Sequence, residues 1–349
     1  MAELFDKCID LVFYDESGNK RHSILCNESG QKPEITIDTT LLSIDMAIST
    51  IITVTNLDRN FPIYDMYWIK ATLYYNGPNV SKDIASKEGR ELLLYVEWAD
   101  QSKGPPDRQV QFHCLRASMA PGLIQTRIKL EEGLYDKDTK TNLTISFKRY
   151  LYMFIEEYNK QVKLTYANNE ALQSWCQLNS EPLCIGKAKE YVTEDVTPGK
   201  FEGSLIYGLE QLGSLINDTE KVSKAANSKS RRYPAVAVFI EDHNLVVVPT
   251  VNNNEDLTEG LAITERVKVS NAVSLYRVGN VVHLTMLFDP RISHRTAITV
   301  PTFNLGGKMS LSRQTGEDLG DEVTFLPIAG IKVKFGTVEQ NKMEITGVI

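Results

Sequence analysis

Period-two alternation constrains this chain more than any other feature. In "LSIDMAISTIITVTNLDR", Leu42 to Arg59, the even positions Leu42, Ile44, Met46, Ile48, Ile52 and Val54 are apolar. Most odd positions, Ser43, Asp45, Ala47, Ser49, Thr53 and Thr55, are small or polar. Successive side chains of a β-strand point to opposite faces, so such a stretch buries one face and wets the other. The pattern predicts one drawn-out ribbon, far longer than the usual strand of about five or six residues, halted at "NLDRN".

Strands of the same kind crowd the first part of the chain. "IDLVFY", "EITIDT", "YWIKATLYY" and "ELLLYVEW" follow one another, the last with Leu92, Leu94, Val96 and Trp98 in phase on a core face. "RQVQFHCLRA" sets Val110, Phe112 and Cys114 against Gln109, Gln111 and His113, and "TRIKLEEG" closes the series. The turn formers "ESGNK", "NESGQKP", "YYNGPN" and "SKGPPD" separate them, which argues a sandwich or barrel. The period then changes. Phe147, Tyr150, Leu151, Phe154, Ile155 and Tyr158 form a stripe at helical spacing. A second helix is predicted in "FEGSLIYGLEQLGSLIND", where Leu205, Leu209, Leu212 and Ile216 share a face. Its three glycines oppose the helix by about 1 kcal/mol each.

"KVSKAANSKSRRYP" is a basic, small-residue run, expected as an exposed linker rather than a phosphate-binding arm. Strands then return. "AVAVFIEDHNLVVVP" predicts a hairpin turning at Glu241 to Asn244, and "VVHLTMLF" places Val282, Leu284, Met286 and Phe288 on one face. "AITVP", "IKVKF" and "KMEITGV" finish the chain. The expected fold is α+β, mainly β: strand-rich domains at 1–135 and 233–349 flank a smaller helix-containing region at 136–232. The two outer parts share a strand-rich grammar without a repeat legible in their residues.

Composition excludes several classes. A net charge of −7 argues against a general nucleic-acid or anionic-membrane binder. No apolar run is long enough for a transmembrane helix, and "MAELFDKCIDLVFYDE" lacks a signal peptide's layout, so synthesis in a cytoplasm and no membrane partner are expected. Cys8, Cys26, Cys114, Cys176 and Cys184 contain no C-x-x-C pair; zinc, redox or disulfide-scaffold motifs need closer or denser spacing, and Cys114 reads as a small core residue.

Motifs of chemistry are sparse. Nucleophile-elbow, zinc-protease, phosphate-loop and dinucleotide fingerprints are missing, and "LGGKMS" has Thr302 where the first glycine of a phosphate loop belongs. "DKDTKTNLT", from Asp136, opens like a calcium loop, but Lys140 takes the third ligand position and Phe147 replaces the closing glutamate, so a solvated loop is expected. His22, His113, His243, His283 and His294 are scattered; His294, near Asp289, is expected in a turn hydrogen bond rather than a catalytic pair. Trp68, Trp98 and Trp175 lie on separate elements, so buried tryptophans are expected before a sugar platform. No catalytic, cofactor-binding or metal-binding residue is assigned, no cofactor is expected, and the chain is expected not to be an enzyme.

The arrangement resembles one family, the tail and baseplate hub proteins of long-tailed phages and related injection machines. Such proteins carry an early strand of the form (S/T)-T-I-x-(I/V)-x-N-L that leads through a short polar loop to a barrel rim, as "STIITVTNLDRNFPIYDMYWIKATLYY" does. "ELLLYVEWADQSKGPPDRQVQFHCLRAS" resembles the family's next strand–loop–strand, and "GSLIYGLEQLGSLIND" its inserted amphipathic helix. "NAVSLYRVGNVVHLTMLFDPRIS" is similar to its second barrel. The His-Gly or Gly-Asp turn of some relatives is not found in "KFGTVEQNKMEITGVI". The resemblance implies two tail-tube-like β-barrel or sandwich domains per chain and a homotrimer whose six barrels ring a DNA conduit. It implies a virion tail component, with a tail-tube or distal tail protein on one side and a spike protein on the other. DNA would pass without specific binding, and the long ribbon would pair with a neighbour. The residues alone leave open a β-sandwich receptor- or carbohydrate-binding protein, and a hydrolase with an unrecognised site.

Overall fold

The computed structural model describes residues 6–26, 33–43, 49–58, 60–76, 89–103, 108–117, 123, 125–167, 185, 187–190, 194–220, 222, 235–241, 244–249, 265–269, 272–278, 281–293, 296–301, 322–338 and 341–348. The chain forms two compact units, Met1–Ala117 with Ile263–Ile349, and Ser118–Ala262. It is mainly β, with two long helices among the described residues.

In the first unit the N-terminal strands are β1 (Asp6–Tyr14), β2 (Lys20–Ile24), β3 (Glu34–Ser43), β4 (Thr50–Thr55), β5 (Trp68–Asn76), β6 (Arg90–Lys103) and β7 (Gln109–Arg116). The ribbon predicted over 42–59 is not a single strand. β3 and β4 pair antiparallel, Glu34 opposite Thr55 through Thr39 opposite Thr50, so the chain doubles back. Paired residues share a face of the sheet. Each pair joins an odd-numbered residue to an even-numbered one, so the core face must change parity between the strands. Ile35, Ile37 and Thr39 are buried on β3, and Thr50, Ile52 and Val54 on β4. Alternation survives a reversal of this parity and cannot reveal it. The Thr39 and Thr50 hydroxyls, both buried, satisfy each other at 2.7 Å. β4 ends where Asn56 takes a φ of 63°, a left-handed conformation that asparagine tolerates. Beyond it the buried Arg108 guanidinium donates to the carbonyls of Asp58 and Phe61.

The second unit holds β8 (Ile128–Leu130), β9 (Tyr135–Asp136), β10 (Thr141–Asn142), β11 (Ile145–Ser146), α1 (Phe147–Ala167), β12 (Lys187–Glu190), β13 (Asp195–Val196), β14 (Phe201–Gly203), α2 (Leu205–Asn217), β15 (Val236–Glu241) and β16 (Asn244–Pro249). Every residue of the predicted α1 stripe is buried, and Val162 extends it. The α2 face is buried as predicted. Ser204 caps α2, its hydroxyl accepting from the Tyr207 amide. Gly208, within this helix, is a site of close approach: the buried Phe154 ring of α1 lies where a β-carbon would stand. Two asparagines fasten extended chain to the helices. Asn159 of α1 donates to the Ile185 carbonyl and accepts from its amide, both at 2.8 Å. Asn217 of α2 does the same to Val236, at 2.8 and 3.0 Å. Each side-chain amide thus bonds a backbone N–H and C=O at once, as a neighbouring strand would.

The expected boundaries at 135/136 and 232/233 therefore differ from the observed division. β8 pairs with β14, and the β15–β16 hairpin, turning between Glu241 and Asn244 as predicted, pairs with β12; all lie in the second unit. Strand density identifies a strand without saying which sheet completes it.

The chain returns to the first unit with β17 (Glu265–Lys268), β18 (Ala272–Val278), β19 (Val281–Met286), β20 (Thr296–Pro301), β21 (Glu322–Gly336) and β22 (Asn341–Val348). The four residues predicted on one face of "VVHLTMLF" are all buried. These strands join the N-terminal ones in a 13-stranded sheet, ordered β18-β19-β22-β21-β3-β4-β7-β6-β5-β1-β2, with β20 on β21 and β17 on β20. β21 pairs antiparallel with β3 from Gly330 opposite Ser43 to Gly336 opposite Thr36. Two aromatic clusters fill the core of this unit. Phe13, Phe61 and Phe112 meet at centroid distances of 4.9 to 6.4 Å, and Tyr75, Phe288 and Phe335 meet one another at 5.0 to 6.4 Å. Burying each such ring contributes about 2–3 kcal/mol. The Tyr75 hydroxyl lies 2.8 Å from the Phe288 carbonyl, tying β5 to the C-terminal strands.

Candidate assembly surface

The sheet contains the same strand order twice. In the N-terminal set, β1, β3, β4, β5, β6 and β7 lie side by side as β3-β4-β7-β6-β5-β1. In the C-terminal set, β17 to β22 lie as β18-β19-β22-β21-β20-β17. In each, the second strand in sequence pairs with the third, the third with the sixth, the sixth with the fifth, the fifth with the fourth, and the fourth with the first. β2 is an addition to the first set, and the β1–β5 pairing is antiparallel where β17–β20 is parallel.

The fifth strand is long in both sets, and in the second it serves two partners on one edge. The start of β21 pairs with β20, and its remainder from Gly330 pairs with β3. The start of β6, Arg90–Tyr95, pairs with β5. Its remainder, from Trp98 to Lys103, has β7 on one side and, among the described residues, no strand on the other. β18, the counterpart of β3, likewise pairs only with β19 among the described residues. One join between a fifth strand and a second strand is made inside the chain. The equivalent two edges, β6 and β18, lack a second strand among the described residues.

The face of the sheet opposite the core is polar and in register across strands. Lys342, Lys334, Asp38, Ile51, His113 and Trp98 form one row over six neighbouring strands. Thr36, Thr53, Gln111 and Asp100 form the row beside it. Its charges are locally matched: Lys334 lies 3.9 Å from Asp38, Lys70 is 2.7 Å from Glu91, and Lys342 pairs with Glu344. At these exposures each pair is worth less than about 1 kcal/mol, so the matching sets the sign of the face more than its stability.

Trp98 overturns its predicted core position, being 51% exposed. A bulge between Val96 and Trp98 inserts Glu97, and the extra residue moves Trp98 to the outer face. There its ring stacks on His113, centroids 3.5 Å apart and planes 8° from parallel. Trp68 is buried as expected. His113 points off the core face, as does His283, which stacks on Tyr276 at 4.6 Å.

Other sequence candidates have plain structural partners. The calcium-like segment is the tip of the β9–β10 hairpin, where Asp136 Oδ1 accepts from the amides of Asp138 and Thr139. Those bonds hold the Asp136 carboxyl below its usual value. Asp289 is buried, and both its carboxylate oxygens bond the Arg291 guanidinium, at 3.0 and 2.7 Å. Cys114 is buried, which raises its thiol pKa. His243, His294, Trp175, Cys176, Cys184, the "LGGKMS" segment and most of the basic run lie outside the described residues. Among the described residues no cluster of three or more His, Cys, Asp or Glu is placed to hold a metal ion, and no helix is long and apolar enough to cross a membrane.

Neither the doubled strand order nor the bulge is legible in the residues themselves, although the resemblance implies two similar modules. No repeated residues mark the first, and the only trace of the second is that a tryptophan continues an apolar phase.

No protein-family model matches the chain, and neither does any curated protein. Among solved structures, it is similar to a tail protein from Neisseria meningitidis MC58, with 8% identity, a TM-score of 0.46, and coverage of 98% of this chain and 96% of that one. It is similar to a 43 kDa tail protein of prophage MuSo2 from Shewanella oneidensis, with 9% identity, a TM-score of 0.47 and coverage of 98% of each chain. The third is the E. coli c3393 protein, described as a component of the type VI secretion system with structural similarity to bacteriophage T4 tail proteins. Identity there is 6% and the TM-score 0.43, over 100% of this chain and 74% of that one.

Proposed function

We propose that the chain is a structural, non-enzymatic hub of a phage tail or related injection machine, acting as a homotrimer that joins a tail tube to a central spike. The observation that carries this reading is the doubled strand order, with one β21–β3 join made within the chain and the equivalent β6 and β18 edges without a second strand among the described residues. Each strand set is one barrel-type module, and the β21–β3 contact is the module-to-module contact. Repeating it between β6 of one chain and β18 of the next builds a ring in which joins within and between chains alternate. Three chains then supply six modules. Such a ring matches a six-fold tube on one side and a three-fold spike on the other, and closure pairs the β6 edge of each chain with the β18 edge of the next.

The partners on this reading are a second and third copy of the chain, a tail-tube or distal tail protein, and a spike protein. DNA passes through the bore without specific binding. The chain's net charge of −7 and the locally paired charges of the outer sheet face give a phosphate backbone nothing to hold it. The protein's place is the virion, in the tail or baseplate, after synthesis in the host cytoplasm.

Native mass spectrometry and an Asp100→Cys/Ser274→Cys variant test the reading together. Expected are a trimer at micromolar concentration and covalent trimers when a short bismaleimide bridges β6 to β18, with neither single variant linking. A stable monomer, or a trimer in which this pair never links, overturns the ring.

A further inference from the structure

Cys8 and Cys26 do not look paired in the sequence, yet the β1–β2 hairpin brings them together. Cys8 sits on β1 on the same face as Asp10, and Tyr74 of β5 is its cross-strand neighbour. The Asp10 carboxylate accepts from the Cys26 amide at 2.7 Å and from the Tyr74 hydroxyl at 3.2 Å. That bridge draws the chain just past β2 over the outer face of β1. That places Cys26 on the side of β1 that carries Cys8, near enough for the Cys26 thiol to help raise the Cys8 pKa. Cys8 is 1% exposed, Cys26 is partly exposed, and neither is in a disulfide.

We propose that Cys8 and Cys26 are a dithiol site that a small-molecule disulfide converts to an intrachain disulfide, stapling β1 to the segment beyond β2. The Cys26 thiolate, reachable from solvent, attacks one sulfur of the oxidant and expels one thiolate, giving a mixed disulfide. The Cys8 thiol then loses its proton to solvent and attacks Cys26 Sγ, expelling the second thiolate. Two electrons and two protons leave the protein, and the oxidant becomes two thiols. Burial, and then the neighbouring Cys26, raise the Cys8 pKa, which accords with Cys8 acting second. Asp10 holds the Cys26 backbone in place while the bond forms. β1 and β2 end the long sheet, so the bond fixes a terminal pair of strands in which only β1 has a second strand partner among the described residues.

The test uses the full chain with oxidised glutathione, followed by alkylation of remaining thiols, trypsin digestion and mass spectrometry without reduction. Trypsin cuts at Lys20 and Arg21, between the two cysteines, so a disulfide leaves their peptides joined. The expected result is a joined peptide in most molecules, absent in Cys26→Ser and restored to two alkylated peptides by reductant. Cys8→Ser should instead stop at a glutathione adduct on Cys26. An adduct on Cys26 of the unsubstituted chain with Cys8 still alkylatable after unfolding overturns the proposal. So does recovery of both thiols unmodified. Cys26 lies at the partly exposed end of the pair, so its variant keeps the test informative if Cys8→Ser fails to fold.

Discussion

Alanine at Gly208 would put a methyl group well inside van der Waals contact of Phe154 Cε2 and Cζ, and 3.3 Å from Phe201 Cζ. Neither ring has room to swing: Phe154 is 1% exposed and Phe201 6%, and they pack on each other at 5.9 Å. Overfilling a packed site of this kind costs about 1–3 kcal/mol. A glycine-to-alanine change inside a helix returns about 1 kcal/mol of propensity. Gly208→Ala should therefore lose up to about 2 kcal/mol. Gly213, on the same helix, has nothing within 4 Å of the added carbon, so Gly213→Ala should gain about 1 kcal/mol. Urea unfolding of the full chain followed by far-UV circular dichroism reads both as shifts of midpoint at unchanged slope. The expected order of midpoints is Gly213→Ala, then the unsubstituted chain, then Gly208→Ala. In a Phe154→Leu background the Gly208→Ala penalty should shrink, because the ring that obstructs it is gone. If Gly208→Ala stabilises as much as Gly213→Ala, the close approach of α1 to α2 is refuted.

Two further substitutions probe the first unit. Trp98→Ala, on the wet face, should cost about 1 kcal/mol or less, whereas Phe112→Ala in the aromatic cluster should cost about 3–5 kcal/mol; a large loss at Trp98 in urea unfolding would refute the bulge. Burial alone would push the Asp15 carboxyl up, but bonds from Asn19 and Arg21 outweigh it and hold the carboxyl below its usual 3.8. A depressed native value means its stabilisation is present above the unfolded pKa and lost as pH falls through the native one. Asp15→Asn should accordingly flatten the acid limb of stability measured by urea midpoints over a pH series, and an unaltered limb would count against the pairing.

Periodicity made much of this protein legible. The α1 and α2 stripes, the Val282–Phe288 face, the Val110–Phe112–Cys114 core line and the β15–β16 hairpin all follow from spacing, because 3.6- and 2-residue periods are local properties of the backbone. Spacing could not show that the stretch through Leu42 reverses between β3 and β4, since a hairpin can switch parity without breaking an alternating pattern. It could not show the Glu97 bulge, which costs one residue of phase and leaves no residue type behind it. The glycine at 208 read as a weakness in a helix; only the facing Phe154 ring makes it a requirement.

The amino-acid order by itself determined which stretches extend, which coil, and in most of them which side chains turn inward. Tertiary structure alone decided that β3 lies against β21, that two sets of strands repeat one order, and that Cys8 meets Cys26. A strand's choice of neighbour depends on register and burial summed over the whole sheet, between segments hundreds of residues apart, and no local pattern records that sum.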